Sequence, residues 1–201
     1  AEIDEKGEFP HDTIKKMAEL GLLSMTIPEK YGGAAFDFLS LAIAVEEISR
    51  GCGSTGVITA VHNSLACWPI ANWGTDAQKE KYLPRMATGE LLGAFGLTEP
   101  NAGSDPAAME ATAVLKGDKY ILNGSKRFIT NGGVAKVFII FAKTDPAAGT
   151  KGITAFIVDR DAKGFSLGKH ENLLGLRGTA NCELIFGDCE EPVEYGLGTV
   201  G

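Results

Sequence analysis

The hydrophobic pattern of the chain changes its period once, near Gly89. Before this glycine, apolar residues recur at the three- and four-residue spacing of amphipathic helices, and after it they alternate with polar residues in short runs. Helices that all precede the strands are typical of segregated helical and sheet domains. The sequence therefore predicts the α+β class, with an all-helical domain over residues 1–90 and an antiparallel β-barrel or sandwich domain over residues 91–201.

The first part of the chain predicts four helices. The third is apolar on nearly every side, which favours a buried helix. Pro69 and Pro84 are expected to end the third and fourth helices, because proline has no amide hydrogen to donate. Thr75 and Gln78 form a capping box at the start of the fourth. The predicted helices span residues 10–21, 37–51, 55–68 and 75–83.

The second part predicts short strands separated by turn residues. Two of the turns, Lys116-Gly117-Asp118 and Asn123-Gly124, are typical β-hairpin connections, and the second type requires positive φ at both central positions. Each is expected to join two antiparallel strands. The predicted strands span residues 91–97, 111–115, 120–122, 126–130, 136–142, 153–158, 165–167 and 181–186.

Composition and charge argue against several classes of protein. The chain has 19 basic and 26 acidic side chains, and the net charge of −7 argues against a nucleic-acid-binding surface. No apolar run is long enough to cross a bilayer. The 4 cysteines have no C-x-x-C spacing and are too few for a disulfide scaffold, which favours a reducing compartment. The 3 histidines lie far apart in the sequence, so we expect no metal site.

Two isolated features have an ordinary structural interpretation. His62, inside the apolar third helix, is interpreted as a hydrogen-bonded core histidine instead of a base. Residues 196–201 (G-L-G-T-V-G) have the spacing of a dinucleotide-binding loop, but they follow Glu190, Glu191 and Pro192 instead of a hydrophobic strand. We therefore expect no such loop. The chain starts without Met and stops within this stretch, as expected for a fragment.

The stretch from Gly93 to Met109 predicts a ligand-binding loop. Its apolar start gives way to hydroxyls, carboxylates and small residues, as at the end of a strand that leads into a functional loop. Asp105 and Pro106 suit an N-cap and the first position of a helix. The free amides of Gly103 and Ser104 would then hold phosphate or another anion. The alternative is a plain surface turn.

One segment of this loop, residues 96–105 (G-L-T-E-P-N-A-G-S-D), resembles the signature of the acyl-CoA dehydrogenases, flavoproteins that desaturate acyl thioesters. Four further segments resemble motifs of the same family in the same order. They are residues 27–33 (I-P-E-K-Y-G-G), 74–84 (G-T-D-A-Q-K-E-K-Y-L-P), 123–131 (N-G-S-K-R-F-I-T-N), and 174–177 with 184–186 (L-G-L-R and L-I-F). The resemblance is to the short-chain, butyryl-CoA-like branch. Glu191 departs from it, because the family has an apolar residue before the proline.

The resemblance implies a site for FAD. The hydroxyl of Thr98 is assigned to the pyrimidine side of the flavin, that of Thr130 to N5, and Ser104 also to the pantetheine-phosphate arm of the substrate. The alternative is that both threonines are ordinary strand residues. Phe128 stands where the family often has tryptophan, so it keeps the apolar wall but lacks the indole donor. The full cofactor-binding set implied is Phe95, Leu97, Thr98, Gly103, Ser104, Phe128, Ile129 and Thr130.

The resemblance also implies an activity, the oxidation of an acyl-CoA thioester to the trans-2-enoyl-CoA in fatty-acid β-oxidation. Electrons would pass to an electron-transfer flavoprotein, and the full-length enzyme would be a homotetramer. The base, a glutamate of the family's C-terminal helical bundle, would lie outside this chain, and Glu99 and Arg177 are interpreted as structural residues. Alternatives are a flavin oxidase or monooxygenase relative, and a non-catalytic flavin- or CoA-binding module.

Overall fold

Helices fill the first part of the structure and strands the second, as the change of period predicts. The computed structural model describes residues 2–200, and none of the helices in this range is long and apolar enough to span a membrane. A π-helical segment, Val61–Cys67, runs directly from α4 into α5. The helices are α1 (Glu2–Lys6), α2 (His11–Glu19), α3 (Phe38–Gly51), α4 (Gly53–Ala60), α5 (Trp68–Trp73) and α6 (Asp76–Ala87).

Two predicted helix ends are wrong because a proline is tolerated where its missing hydrogen bond costs little. Pro69 lies in the first turn of α5, directly after the π-helical segment, and the helical path continues through it. Pro84 lies inside α6, which runs on to Ala87. Pro84 and Glu80 are both exposed, so the carbonyl of Glu80, which loses its helical donor, can face water.

The second part of the chain forms an eight-stranded, mostly antiparallel sheet, which confirms the predicted α+β class. The strand order is β6-β7-β3-β2-β4-β5-β8, and β1 pairs with β4. Only the β1–β4 and β2–β4 pairings are parallel among the described strands. The strands are β1 (Gly93–Gly96), β2 (Thr112–Lys116), β3 (Lys119–Ile129), β4 (Val137–Lys143), β5 (Ile153–Asp159), β6 (Phe165–His170), β7 (Cys182–Pro192) and β8 (Gly196–Leu197).

One predicted hairpin is confirmed and the other is wrong. Gly117, with φ +66°, lies in the tight turn between β2 and β3. Asn123-Gly124 lies instead in the middle of β3, a single strand where two were predicted. The Asn123 side chain bonds both the backbone and the side chain of Asp188, at a bulge in β7. Gly124 is required because a Cβ there would lie 2.8 Å from the Cβ of Ala111.

The end of the chain has no dinucleotide-binding loop in its described part. Gly196 and Leu197 form β8, which pairs with β5, and Gly201 lies outside the described residues. Helix α6 holds this end in place. The Gln78 amide donates to the carbonyls of Glu194 (2.7 Å) and Gly196 (2.9 Å), which ties the chain leaving β7 to the helical domain.

Strand β4 is buried on both faces and joins the two halves of the molecule. Because side chains alternate along a strand, Phe138 and Ile140 point into the β-domain core. Val137 and Ile139 point the other way, into an apolar cluster with residues of the helices. The helical domain therefore packs directly on the sheet beside β1.

Glu191, the residue that departs from the family pattern, is almost fully buried at the end of β7. The thiol of Cys189 donates a long hydrogen bond of 4.0 Å to Oε1 of Glu191. Burial, helped by the charges of Asp159 and Asp161 and opposed by that of Lys81, raises the pKa of Glu191 to about 8. The carboxyl group is therefore protonated in the folded protein at pH values where it ionises in the unfolded chain.

Replacing Glu191 with Gln should stabilise the protein more at pH 8 than at pH 5. As pH rises from 4.5 towards 8, the unfolded chain loses this proton while the folded protein keeps it, so stability falls by about 1.4 kcal/mol per pH unit. The glutamine side chain of the variant cannot ionise, so the variant lacks this loss of stability. Urea unfolding at both pH values measures the difference.

Glu190→Gln is the matched control for this prediction. Hydrogen bonds from Lys163 and Lys119 lower the pKa of Glu190 to about 2, so this neighbour stays ionised between pH 5 and 8. The difference in unfolding free energy between Glu190→Gln and the unsubstituted protein should therefore be the same at pH 5 and pH 8. An equally pH-independent result for Glu191→Gln would mean that Glu191 ionises normally.

Candidate functional site

The predicted site is built where the chain leaving β1 passes alongside β3. The amide of Arg127 in β3 donates to the carbonyl of Thr98 at 2.8 Å. The two strands approach this closely because Gly96 ends β1: a Cβ there would lie 2.6 Å from Cδ1 of Ile140 and 3.3 Å from Cγ of Lys126. We call this contact of residues 97–99 with Lys126 and Arg127 the crossing.

A buried ion pair holds the crossing. The Lys126 side chain is fully buried, and its ammonium donates to Glu99 Oε1 at 2.7 Å and to the carbonyl of Leu97 at 3.2 Å. Burial lowers the pKa of Lys126, and the hydrogen bond and charge of Glu99 oppose that shift. Glu99 also accepts the backbone amides of Glu110 and Ala111. Both of its oxygens are therefore engaged inside the protein, as expected for a structural carboxylate.

A bulge in β3 turns Phe128 outward. Three steps along β3, from Lys126 to Ile129, match two along β7, and Phe128 takes a left-handed conformation with φ +60°. Phe128 is 54% exposed, and the guanidinium of Arg127 lies 5.1 Å from its ring centroid. Arg127 Nε donates in turn to Glu171 at 3.0 Å. The bulge thus presents one aromatic ring at the surface beside the crossing.

Asn131 anchors the chain just after Thr130. Its amide donates to the carbonyl of Thr179 at 2.9 Å, and its Nδ2 donates to the carbonyl of Gly93 at 3.1 Å. The side-chain oxygen of Asn131 is buried without a hydrogen-bond partner. The end of β3 is therefore tied back to the start of β1.

His62 anchors the same start of β1 from the helical domain. Its Nδ1 accepts the amide of Gly93 at 3.0 Å, so Nε2 carries the proton and donates to the carbonyl of Met86 at 3.2 Å. Burial lowers the pKa of His62 to about 4, which keeps the ring neutral. The interpretation of His62 as a core histidine is confirmed.

Three hydroxyl groups of the predicted site are available to a ligand. Thr98 and Thr130 are half-buried and Ser104 is exposed, and within residues 2–200 none of the three side chains has a recorded hydrogen-bond partner. Unpaired hydroxyls of this kind suit a flat, heteroatom-rich ring such as a flavin. Ile129 differs, because its side chain is buried in the β-domain core and its carbonyl accepts the amide of Gly132 at 3.0 Å.

The loop after the crossing is tight at its start and open at its end. Glu99 and Ala102 exchange two backbone hydrogen bonds of 3.0 and 3.2 Å. Asp105 caps a 3₁₀ turn, Pro106–Ala108, by accepting the amide of Ala107, which confirms the predicted cap. This turn is too short for a helix dipole of any size, so anion binding would depend on the free amides near Gly103 alone. Gly103 and Ser104 are exposed and have no recorded contact with Phe128 or Thr130.

Phe95 lies on the helical side of β1 instead of beside Phe128. Its ring packs against Phe141, with centroids 5.1 Å apart. Both rings line an apolar groove of about 470 Å³ between the helical domain and the sheet, together with Leu65, Trp68 and Trp73. Leu97 is half-buried at the crossing itself. The structure therefore brings Thr98 next to β3 but separates Phe95 from that surface.

Arg177 braces a loop, as predicted. Its amide donates to the carboxylate of Asp4 at 2.9 Å, and its guanidinium donates to the carbonyl of Glu5 at 3.3 Å. The described residues contain no cluster of His, Cys, Asp and Glu that could bind a metal ion. Within the same residues all 4 cysteines are free thiols.

Comparison with known proteins identifies the family. The N-terminal domain of acyl-CoA dehydrogenases matches residues 1–90, and the middle domain matches residues 94–189. The chain belongs to the acyl-CoA dehydrogenase family. The short-chain-specific acyl-CoA dehydrogenase of Clostridium acetobutylicum is 53% identical over all of this chain and 53% of its own length. The chain thus spans about half the length of the curated relatives it matches.

Solved structures of the family share this fold closely. Butyryl-CoA dehydrogenase from Megasphaera elsdenii superposes with a TM-score of 0.95 at 43% identity, over 100% of this chain and 53% of that one. An acyl-CoA dehydrogenase complexed with FAD from Bacillus anthracis superposes with a TM-score of 0.86 at 40% identity, over 94% of this chain and 32% of that one. The recognised resemblance is confirmed.

Sequence reasoning did not select Lys126 or Asn131 for the site. Tyr120, Leu122 and Lys126 alternate along β3 and are all buried. This period would have placed Lys126 on the core face if residues 119–129 had been treated as one strand. The false hairpin at residues 123–124 concealed it. For Asn131 the sequence offers no signal beyond its place in the family motif.

The backbone at Phe128 gives a stability test of the bulge. Phe128→Gly should be more stable than Phe128→Ala by about 1 kcal/mol, because both remove the ring but only glycine adopts φ near +60° without steric cost. Urea unfolding of the two variants measures this difference. If the alanine variant is equally stable, Phe128 is not left-handed in solution.

Proposed function

We propose that this chain forms the N-terminal and middle parts of an FAD-dependent acyl-CoA dehydrogenase that acts on short-chain acyl-CoA thioesters. The product is the trans-2-enoyl-CoA, and electrons pass to an electron-transfer flavoprotein. One observation carries the proposal: in a member of this family, the crossing places Thr98 against the strand that presents Phe128, and within residues 2–200 the hydroxyls of Thr98 and Thr130 have no hydrogen-bond partner. The family includes a structure complexed with FAD.

Three side chains are proposed to hold the flavin. Phe128 provides an apolar wall, and Thr98 and Thr130 donate hydrogen bonds to polar atoms of the ring. When bound, FAD supplies the electron-poor ring that accepts a hydride from the β carbon of the thioester. A hydroxyl donor near N5 stabilises the negative charge that develops there, which is the role proposed for Thr130.

The substrate is proposed to meet the loop around Ser104. Ser104 and the amide of Gly103 are exposed and suit the pantetheine-phosphate arm of the thioester. Glu99, the carboxylate next to Thr98, is enclosed by its own ion pair and is not proposed as the proton acceptor, which is proposed to lie outside this chain. The full-length enzyme is proposed to be a homotetramer in a reducing compartment, either the bacterial cytoplasm or the mitochondrial matrix.

The direct test uses the full-length protein purified with FAD. Anaerobic addition of butyryl-CoA should bleach the flavin and yield crotonyl-CoA, and electron-transfer flavoprotein should then restore the colour. Bleaching reversed only by oxygen, with hydrogen peroxide formed, would identify an oxidase instead. A protein that binds no flavin, or whose flavin no acyl-CoA bleaches, would contradict the proposal and favour a non-catalytic binding module.

Removing the Thr130 hydroxyl should slow the reaction. Thr130→Val keeps the shape of the side chain, so we expect anaerobic flavin reduction by butyryl-CoA to slow about tenfold, the effect of one lost hydrogen bond to developing charge. Stopped-flow absorbance measures the rate. Thr112→Val, in β2, is the control and should react at the unsubstituted rate. An unchanged rate for Thr130→Val would remove its assigned role.

A further inference from the structure

Lys126 is the buried cation of the crossing, and the proposed reaction gives it no direct part. We propose that Lys126 is a positioning residue, which fixes the Thr98 hydroxyl relative to Thr130 so that both reach the flavin together. This inference rests on the proposed function. It concerns the geometry of the site, whereas the proposed function concerns its chemistry.

The hydrogen bonds at the crossing surround Thr98 on both sides. The ammonium of Lys126 bonds the carbonyl of Leu97, just before Thr98, and the carboxylate of Glu99, just after it. The neighbouring amide of Arg127 bonds the carbonyl of Thr98 itself. Lys126 and Arg127 of β3 therefore hold residues 97–99 by three hydrogen bonds. The side chain of Lys126 makes two of them.

The same strand carries the other half of the site. Phe128 and Thr130 follow Lys126 by two and four residues, and Asn131 fixes the chain directly after them. The position of Thr98 relative to Thr130 thus depends on the crossing. Beyond Glu99 the loop leads to exposed residues, among them Gly103 and Ser104, with few recorded contacts.

Stability alone does not account for a lysine at this place. Lys126 is 0% exposed, and its cross-strand partner in β7 is Leu184, a residue of the β-domain core. Burying an ion pair is costly, and well-packed apolar residues of similar volume commonly stabilise a protein as much or more. What an apolar side chain cannot do is bond the residues on both sides of Thr98. Positioning is therefore the role that the geometry favours.

The test compares two variants with a matched control in the full-length protein saturated with FAD. Lys126→Met removes the ammonium and keeps most of the side-chain volume. Glu99→Asp keeps both charges but withdraws the carboxylate by one methylene group. Lys119→Met is the control, because Lys119 lies in the same strand and pairs with Glu190 at 2.9 Å on the surface. Single-turnover flavin reduction, KM for butyryl-CoA, the flavin absorption spectrum and the unfolding midpoint are measured for each.

We expect Lys126→Met to reduce flavin about 100-fold more slowly, since small misplacements of positioned groups have effects of this size. KM should change less than twofold, the flavin spectrum should shift, and Glu99→Asp should show a smaller loss of the same kind. Lys119→Met should match the unsubstituted enzyme. The proposal is overturned if both variants lower the unfolding midpoint but leave the rate of flavin reduction and the flavin spectrum unchanged. It is also overturned if neither variant folds. In both cases the ion pair would serve stability. Failure of the unsubstituted enzyme to be reduced would instead contradict the proposed function.

Discussion

The buried pair between Lys126 and Glu99 joins the two segments on which the candidate site depends. Inside a protein an unpaired charge is costly, so each partner must be satisfied where it lies. The ammonium bonds Glu99 and Leu97, and the carboxylate accepts two backbone amides as well. Because these bonds cannot be exchanged for water, the chain leaving β1 has one position against β3. The hydroxyl of Thr98 and the exposed ring of Phe128 are thereby built on one frame.

The frame reaches into the helical domain through β1, which is only four residues long. The start of this strand is held by neutral His62, which accepts the amide of Gly93, and by Asn131, which donates to its carbonyl. The end is held by the crossing. The π-helical segment that contains His62 is therefore part of what positions the site, although none of the candidate site residues lies on it. This arrangement explains how a helical domain contributes to a surface formed by strands.

Local signals in the sequence predicted most of the fold, because their physical causes are local. Asp37 and Thr75 cap helices through bonds to amides three residues away, and Gly117 turns a hairpin. The failure at Asn123-Gly124 has a non-local cause: its turn chemistry is overridden by pairing with β7, more than 60 residues away. The site residues Thr98, Phe128 and Thr130 came from family resemblance. The ion pair behind them did not, since nothing local shows that a lysine will be buried.

The most direct test of this account is a crystal structure of the full-length protein with FAD bound. The account predicts that the hydroxyls of Thr98 and Thr130 both lie within about 3 Å of polar atoms of the flavin ring, over the ring of Phe128, with Lys126 still bonded to Glu99. A flavin bound elsewhere, for example in the apolar groove beside Phe95 and out of reach of both threonines, would contradict it.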